Sequence, residues 1–297
     1  VRALARKNWR IKVATRHPNR AFFLRPLGQV GQIGFIKCDV SEPDQVAHAL
    51  SGSHAVVNLA GILVQRGQTF QDVHANGPGV IAETAARHGI KSLVHVSAIG
   101  ADAESHSRYA ETKGEGETRV RRAFPSATIL RPSLLFGPED RFFNRFAELA
   151  RFFPALPLIG GGRTRFQPVF VGDVAQAIVT ALDDVKAQGK TYELGGPTIY
   201  SFKELMEIIL SETGRKRILM PIPFGLATLQ AIFLQLLPNP LLTPDQVKLL
   251  RRDNVVSPTA HTLKDLGIQP TTVEAEVPAY LWRFRAKGEY AELARIK

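Results

Sequence analysis

Short, mostly apolar runs alternate with amphipathic helical patterns through the N-terminal half of the chain. Strands are predicted at 10–15, 35–40, 55–60, 92–97 and 127–131, and helices at 43–50, 79–88 and 108–124. The run at 55–60 has the form of a parallel strand that is buried on both faces. This alternation predicts right-handed βαβ units, and therefore an α/β fold with a doubly wound parallel sheet of the Rossmann type.

The pattern changes after about Phe142, where Phe- and Leu-rich runs and three consecutive glycines interrupt it. A strand at 168–171, a helix from near Asp173 and a strand at 190–194 then restore the α/β pattern. We predict four segments, which are a nucleotide-binding domain in 1–155, a lobe insertion in 156–168, the final strand and helix of the nucleotide-binding domain in 169–200, and a smaller, mostly helical C-terminal lobe in 201–297.

The composition is that of a folded protein with an excess of basic groups. Hydrophobic residues make up 44% and charged residues 22% of the chain, and the formal net charge is +11. Such a charge attracts anionic lipid, acidic proteins or nucleic acid. Nucleic acid is not predicted as a partner, because Lys and Arg are spread along the chain without a helix-turn-helix, zinc-finger or aromatic-basic signature.

Two further features limit the location of the protein. The single cysteine, Cys38, permits no internal disulfide and fits a reducing compartment. The sequence contains no uninterrupted apolar run of roughly 18 residues, so no transmembrane helix is predicted. No metal site is predicted either.

The candidate chemistry lies on the helix at 108–124. Tyr109 and Lys113 are four residues apart, so both side chains fall on one face of that helix. We expect the ammonium group of Lys113 to lower the pKa of the phenol. Ser97 ends the preceding strand, where its hydroxyl can bind a carbonyl oxygen. These groups could exchange a proton with a carbonyl or alcohol while a nicotinamide exchanges hydride. A tyrosine–lysine pair on the surface is the alternative.

The order of motifs around these residues resembles that of the extended and atypical short-chain dehydrogenase/reductases. The segment Asn58–Gly61 looks like the sheet-end motif beside the cofactor in that family, Cys38–Val40 like the strand end near adenine, and Arg131–Ser133 like the turn near the nicotinamide carboxamide. The resemblance implies that Ser97, Tyr109 and Lys113 are catalytic or contact the nicotinamide side. It also implies further cofactor-binding residues, namely Asp39, Val40, Leu59, Ala60, Gly61, Arg131 and Pro132.

Arg16 bears on the choice of cofactor. It follows the strand at 10–15, where a carboxylate would bind the ribose of NAD and an arginine would accept the 2′-phosphate of NADP. With Arg20 nearby, the sequence favours NADP(H) over NAD(H). An arginine that is merely solvated at a strand end is the alternative.

A dinucleotide fold needs a glycine-rich turn that leaves a strand and opens a helix. Gly28, Gly31 and Gly34 have a suggestive spacing, but they follow a helical segment and run into a strand. We therefore interpret them as a connecting loop. We expect the first strand and the phosphate loop to lie upstream of Val1, so that the Rossmann fold is N-terminally incomplete in this sequence.

Within the family, the segment Gly137–Phe142 and the region 242–250 resemble the dehydrogenase-like accessory subunits of respiratory complex I and their bacterial relatives. This resemblance implies an NADP(H) that is structural, respiratory subunits as partners, and a peripheral position on the cytoplasmic or matrix face of the energy-transducing inner membrane. The alternative is a soluble, cytoplasmic NADP-dependent reductase or sugar-nucleotide epimerase/dehydratase that uses Ser97, Tyr109 and Lys113. A redox sensor on the same fold is a third reading.

The segment 224–237 is apolar on most of its circumference but too short to span a bilayer. Lys248, Arg251 and Arg252 follow it, so the region 224–252 could contact an anionic lipid surface or a partner subunit. The alternative is a helix buried within the lobe.

Overall fold

The computed structural model describes residues 1–237, 240, 242–286 and 288. These residues fall into two compact units, of which the first contains 1–131 and 175–192 and the second contains 132–174 and the chain from 193 onward. The boundary lies earlier than the predicted one at 155. Phe136, Phe143 and Leu156 belong to the second unit because their side chains form one hydrophobic core with Leu205 and Ile209.

The first unit has the predicted alternation of strands and helices. Its elements are α1 (Arg2–Arg6), β1 (Ile11–Thr15), a 3-10 helix (Pro18–Leu27), β2 (Ile33–Lys37), α2 (Pro43–Leu50), β3 (Ala55–Asn58), a π-helical turn (Gln71–Asn76), α3 (Gly77–Arg87), β4 (Ser92–Val96), α4 (Arg108–Ala123), β5 (Thr128–Pro132), most of α6 (Val171–Asp183), a 3-10 turn (Val185–Ala187) and the start of β10 (Thr191–Leu194).

The pairs β1–β2, β3–β4 and β4–β5 are parallel, as expected for a Rossmann-like fold. β1 pairs with β2, and a four-stranded sheet has the order β10-β5-β4-β3. In that sheet Asn58 lies opposite His95 and Val96 lies opposite Leu130. The carboxyl ends of β3, β4 and β5 therefore lie side by side, and the predicted site residues follow these ends.

The core beside this sheet includes small and branched side chains of α2, α3, β4 and α4. Its buried members include Val46, Ile81, Leu93 and Val120. Gly28 and Gly31 form a loop after the 3-10 helix, and Gly34 lies within β2. The interpretation as a connecting loop is therefore confirmed for Gly28 and Gly31, whereas Gly34 belongs to the strand that follows the loop.

The second unit contains more strands than the predicted, mostly helical lobe. Its elements are β6 (Leu135–Phe136), α5 (Phe143–Phe152), β7 (Ala155–Ile159), a 3-10 turn (Gly160–Gly162), β8 (Arg165–Phe166), β9 (Val169–Phe170), β11 (Tyr200–Ser201), α7 (Phe202–Thr213), β12 (Ile218–Ile222), α8 (Phe224–Leu234), α9 (Pro244–Leu249), a 3-10 turn (Lys264–Leu266), α10 (Val273–Glu276), α11 (Pro278–Leu281) and a 3-10 turn (Trp282–Phe284).

The apolar segment predicted at 224–237 forms α8 and the turn after it. Ala227 and Ala231 are buried in the second unit, whereas the large side chains of the helix are exposed, with Leu229 54% and Phe233 66% accessible. A fully buried helix is therefore excluded. Among the residues that the structure describes, no helix has both the length and the apolar character needed to cross a bilayer.

Candidate functional site

Helix α4 presents three functional groups at four-residue intervals along one face. Ser107 caps its N-terminus by accepting a hydrogen bond from the backbone N–H of Ala110. Tyr109 is half-buried, and Lys113 and Glu117 are each only 4% exposed. Because residues four apart share a helix face, the phenol, the ammonium and the carboxylate lie in a row.

Lys113 is held at the end of β4. Its Nζ donates a hydrogen bond of 3.3 Å to the carbonyl of Val96, the residue before Ser97. Burial lowers the pKa of Lys113 to about 8, against the charge of Glu117, which raises it. Glu117 is in turn bound by Arg131, whose Nε and Nη2 donate to the two carboxylate oxygens at 2.8 and 2.6 Å. Arg131 therefore acts on this site through Glu117.

Tyr109 behaves differently from the sequence expectation. Its ring packs edge-on against His74 and Phe70, with centroids 5.1 and 6.0 Å away. Burial raises the pKa of the phenol to about 12. The expectation that Lys113 lowers this pKa was wrong, because desolvation of the phenolate dominates. At neutral pH, Tyr109 is a neutral hydrogen-bond donor.

Ser97 supplies a buried hydroxyl that lacks a partner in the described part of the chain. Its backbone N–H donates to the carbonyl of Leu130 at 2.7 Å, but its Oγ makes no hydrogen bond to any described residue. Buried polar atoms are normally satisfied, so such an orphan is expected to meet a ligand or water. The hydroxyl thus fits a group such as a nicotinamide nucleotide or a carbonyl substrate.

The turn after β3, which we call the sheet-end turn (Asn58–Ile62), lies against Lys113. Asn58 Oδ1 accepts from the N–H of Ala60 at 3.0 Å, which fixes the start of the turn. At Gly61 an added Cβ would lie 3.5 Å from the Nζ of Lys113. Leu59 is 63% exposed. The backbone of Ala60 and Gly61 therefore forms an open edge beside the ammonium group.

A second group of predicted residues follows β1 and β2. Asp39 accepts hydrogen bonds from Ser41 and from the Nε2 of Gln68, the latter at 2.9 and 3.0 Å. Burial alone would raise the pKa of the Asp39 carboxyl. The hydrogen bonds and the charge of Arg16 outweigh burial and hold this pKa below its usual value. Val40 is half-buried beside it. Arg16 and Arg20 are exposed and line a cleft of about 350 Å³.

A family model described as the NAD dependent epimerase/dehydratase family matches residues 1–195, about two thirds of the chain. The chain belongs to this family. Its fold is accordingly an NAD(P)-binding fold, and the sequence interpretation as a short-chain dehydrogenase/reductase is confirmed.

One relative is similar over most of the chain. The mouse protein "NADH dehydrogenase [ubiquinone] 1 alpha subcomplex subunit 9, mitochondrial" is 37% identical over 265 residues, which cover 88% of this chain and 70% of the mouse protein. The predicted likeness to accessory subunits of respiratory complex I is thereby confirmed within the family.

Solved structures of low sequence identity share the fold. The triphenylmethane reductase of Citrobacter sp., complexed with NADP(H), has a TM-score of 0.71 and 19% identity, covering 91% of this chain and 90% of the reductase. The dTDP-glucose 4,6-dehydratase DesIV of Streptomyces venezuelae, with NAD bound, has a TM-score of 0.68 and 16% identity, covering 97% of this chain and all of DesIV (100%). Both cofactors thus occur on this fold.

The structure brings together most of the residues that were predicted from the sequence. One edge of the sheet holds Lys113, Gly61 and the end of β4 at Ser97. The side chain of Arg131 instead donates hydrogen bonds to Glu117. Pro132 is buried and is the first residue of the second unit.

Three polar residues of the site were missed by sequence analysis. Glu117 could have been found from its spacing of four residues beyond Lys113. His74 contacts the ring of Tyr109, and the Nδ1 of His95 lies 3.1 Å from the Nδ2 of Asn58 at the start of the sheet-end turn. These two histidines carried no local signal, because their partners lie far away in the sequence.

Proposed function

We propose that this chain is an NADP(H)-binding accessory subunit of a membrane respiratory NADH:quinone oxidoreductase, and that its nucleotide is a structural component. The observation that carries the proposal is the similarity to the mouse complex I subunit along nearly the whole chain. The position follows from that assignment, namely the cytoplasmic or matrix face of the energy-transducing membrane, bound peripherally beside other subunits.

The nucleotide would be held by residues of the first unit. Ser97, Tyr109 and Lys113 offer hydroxyl and ammonium donors to the nicotinamide half, and Gly61 leaves the sheet edge open beside them. Asp39 lies at the predicted adenine end. When bound, a nicotinamide nucleotide supplies hydride chemistry at this edge.

The choice of NADP(H) over NAD(H) rests on charge. Arg16 and Arg20 line one exposed cleft, and two guanidinium groups suit a phosphate better than a neutral ribose hydroxyl. Arg25, which is close in sequence, instead packs its guanidinium 4.8 Å from the ring centroid of Phe22. We therefore assign the 2′-phosphate to Arg16 and Arg20.

The electrostatics of α4 favour holding a nucleotide over turning it over. A general acid–base works best with a pKa near the working pH. Burial raises the pKa of the Tyr109 phenol to about 12, and the ring of Tyr109 packs against the aromatic rings of Phe70 and His74. Such a phenol stays protonated at neutral pH, so it can donate a hydrogen bond but releases its proton reluctantly.

Helix α8 is the proposed contact with anionic lipid, within the region 224–252. Its large apolar side chains are exposed, and the guanidinium of Arg251 lies 4.7 Å from the ring centroid of Phe224 at the start of the helix. Exposed apolar groups beside cations suit the interface of an anionic membrane. Positions 238, 239 and 241 of this region lie outside the described residues.

The function is tested by the fate of the nucleotide. We expect the full-length protein to be purified with NADP(H) that is released on denaturation and is not consumed by a panel of small carbonyl compounds. Tyr109→Phe should keep the nucleotide, because only one hydrogen bond is lost. Steady NADPH oxidation by the unaltered protein that Tyr109→Phe abolishes would instead establish the alternative, a reductase.

The cofactor assignment has its own test. Arg16→Ala and Arg20→Ala should each weaken NADPH binding about tenfold, the size of a charge-assisted hydrogen bond, and leave NADH binding unchanged. Arg10→Ala, which removes an exposed arginine before β1, is the matched control. Equal losses for NADPH and NADH would contradict the assignment.

The lipid contact is tested with vesicles. Leu229→Ser and Phe233→Ser should reduce sedimentation of the protein with vesicles that contain phosphatidylglycerol. Val185→Ser, at an exposed apolar position of the first unit, should not. Binding that is insensitive to both α8 variants would remove this part of the proposal.

A further inference from the structure

His74 contacts three parts of the candidate site, namely the sheet-end turn, α4 and the ring of Tyr109. It lies in the π-helical turn that precedes α3, and its side chain is fully buried. Its Nε2 accepts a hydrogen bond of 2.9 Å from the N–H of Ile62 in the sheet-end turn. Its Nδ1 lies 3.4 Å from the Oγ1 of Thr112 on α4.

These two contacts fix the protonation of the ring. Because the backbone N–H of Ile62 is a donor, the Nε2 of His74 must be unprotonated. The hydroxyl of Thr112 donates to the carbonyl of Arg108 at 2.7 Å, so its oxygen is free to accept from an Nδ1–H. The imidazole is therefore neutral, with its proton on Nδ1. In agreement, burial and the charge of Lys113 lower the pKa of His74 to about 3.

The ring of His74 also positions Tyr109. It stacks on Phe70, with centroids 5.3 Å apart and planes at 13°, and it meets the Tyr109 ring edge-on at 84°. The main-chain carbonyl of His74 abuts α4 at Gly116, where an added Cβ would lie only 1.9 Å from that oxygen. The turn that carries His74 is therefore held against the helix by backbone and by side chain.

His74 and Lys113 converge on the same point of the sheet-end turn. An added Cβ at Gly61 would lie 3.8 Å from the Nε2 of His74 and 3.5 Å from the Nζ of Lys113. A shift of Gly61–Ile62 would therefore change the space beside the ammonium group.

We propose that His74 is a positioning residue that joins the sheet-end turn to the Tyr109–Lys113 face of α4 and so fixes where the nicotinamide half of a nucleotide is held. This inference rests on the proposed nucleotide binding. His74 acts through its neighbours. Binding of the adenine half of the nucleotide at Arg16 and Asp39 should not depend on it.

The test compares a whole nucleotide with its adenine half in the full-length protein. NADPH reports on both ends of the site, whereas adenosine 2′,5′-bisphosphate reports on the adenine end alone. His74→Phe keeps a flat ring between Phe70 and Tyr109 but removes both hydrogen bonds. We expect it to weaken NADPH binding about tenfold, the size of one to two net hydrogen bonds, with less than about a twofold change for the bisphosphate.

Two further variants separate positioning from folding. His74→Gln offers an amide oxygen to the N–H of Ile62, so it should recover most of the NADPH affinity. Thr112→Val removes the Nδ1 contact and the local bond of the hydroxyl to the carbonyl of Arg108, but it keeps the bond from Ile62 to His74, so it should lose less than His74→Phe. If His74→Phe does not fold, the comparison of His74→Gln with His74→Leu, measured with the same two ligands, carries the test.

The remaining outcomes contradict either the positioning role of His74 or the proposed nucleotide binding. Parallel losses for NADPH and the bisphosphate, unchanged NADPH binding in His74→Phe, or a glutamine variant no better than the apolar one would overturn the positioning role alone. An unaltered protein that binds neither ligand would overturn the proposed nucleotide binding, and this inference with it.

Discussion

Glu117→Ala probes the charge arrangement that supports Lys113. Glu117 is 4% exposed and receives two hydrogen bonds from Arg131, whose side chain is 26% exposed. The substitution removes the carboxylate that accepts both of these bonds and whose charge supports the ammonium group of Lys113. We expect the free energy of unfolding to fall and the pKa of Lys113 to drop below its present value of about 8.

The magnitude follows from the burial of the pair. Removing one partner of a buried ion pair destabilises a protein by about 3–5 kcal/mol. Because Arg131 keeps a quarter of its side chain in water, we expect the lower end of this range, about 3 kcal/mol. Arg131→Met on the Glu117→Ala background should recover part of the loss, since the guanidinium that has lost its two bonds to Glu117 is then absent as well.

Urea unfolding followed by circular dichroism measures these differences. Glu111→Ala is the matched control, because Glu111 pairs with Arg108 on the same helix at 2.9 Å and Arg108 is largely exposed. An exposed pair contributes less than about 1 kcal/mol. The reasoning is refuted if Glu117→Ala is no more destabilising than Glu111→Ala, or if Arg131→Met adds a further full loss to the double variant.

Two more predictions concern histidines and glycines. Burial and the charge of Lys113 lower the pKa of His74 and His95 to about 3, so between pH 6.5 and 3 the unfolded chain binds more protons than the folded one. The free energy of unfolding should therefore be complete above pH 6.5 and fall below it, by up to about 1.4 kcal/mol per pH unit for each histidine. A urea midpoint that stays flat from pH 7 to 4 would contradict this. Gly116→Ala should destabilise the protein by more than about 2 kcal/mol, because the new Cβ would lie 1.9 Å from a backbone oxygen. Gly225→Ala has open space at an exposed helical position and should stabilise the protein by up to about 1 kcal/mol. Thermal unfolding measures both variants, and equal midpoints would argue against the close packing at Gly116.

The sequence predicted the elements of the first unit closely because their periodicity is local. The helix expected at 43–50 is α2, and that expected at 108–124 differs from α4 by one residue. The domain boundary predicted at 155 differs from the structure, in which the second unit begins at Pro132. The pattern in the sequence changes only after about Phe142, and it is the packing with α7 that assigns the residues from 132 onward to the second unit.

The candidate site was predictable where its residues follow strand ends or share a helix face. Ser97 and Lys113 belong to this class. The protonation of Tyr109 was not, because it depends on how many apolar atoms surround the phenol after folding. The His74 contacts with Ile62 and Thr112 join residues that are distant in sequence, so no spacing rule would reveal them.

The proposed role of the chain as a nucleotide-holding subunit of a respiratory assembly can be tested by affinity purification. The full-length protein is isolated from its native membranes under mild detergent, and the co-purified subunits and the released nucleotide are both quantified. The account predicts stoichiometric NADH:quinone oxidoreductase subunits and about one NADP(H) per chain. Recovery of the protein alone, free of those subunits and turning over NADPH, would contradict it.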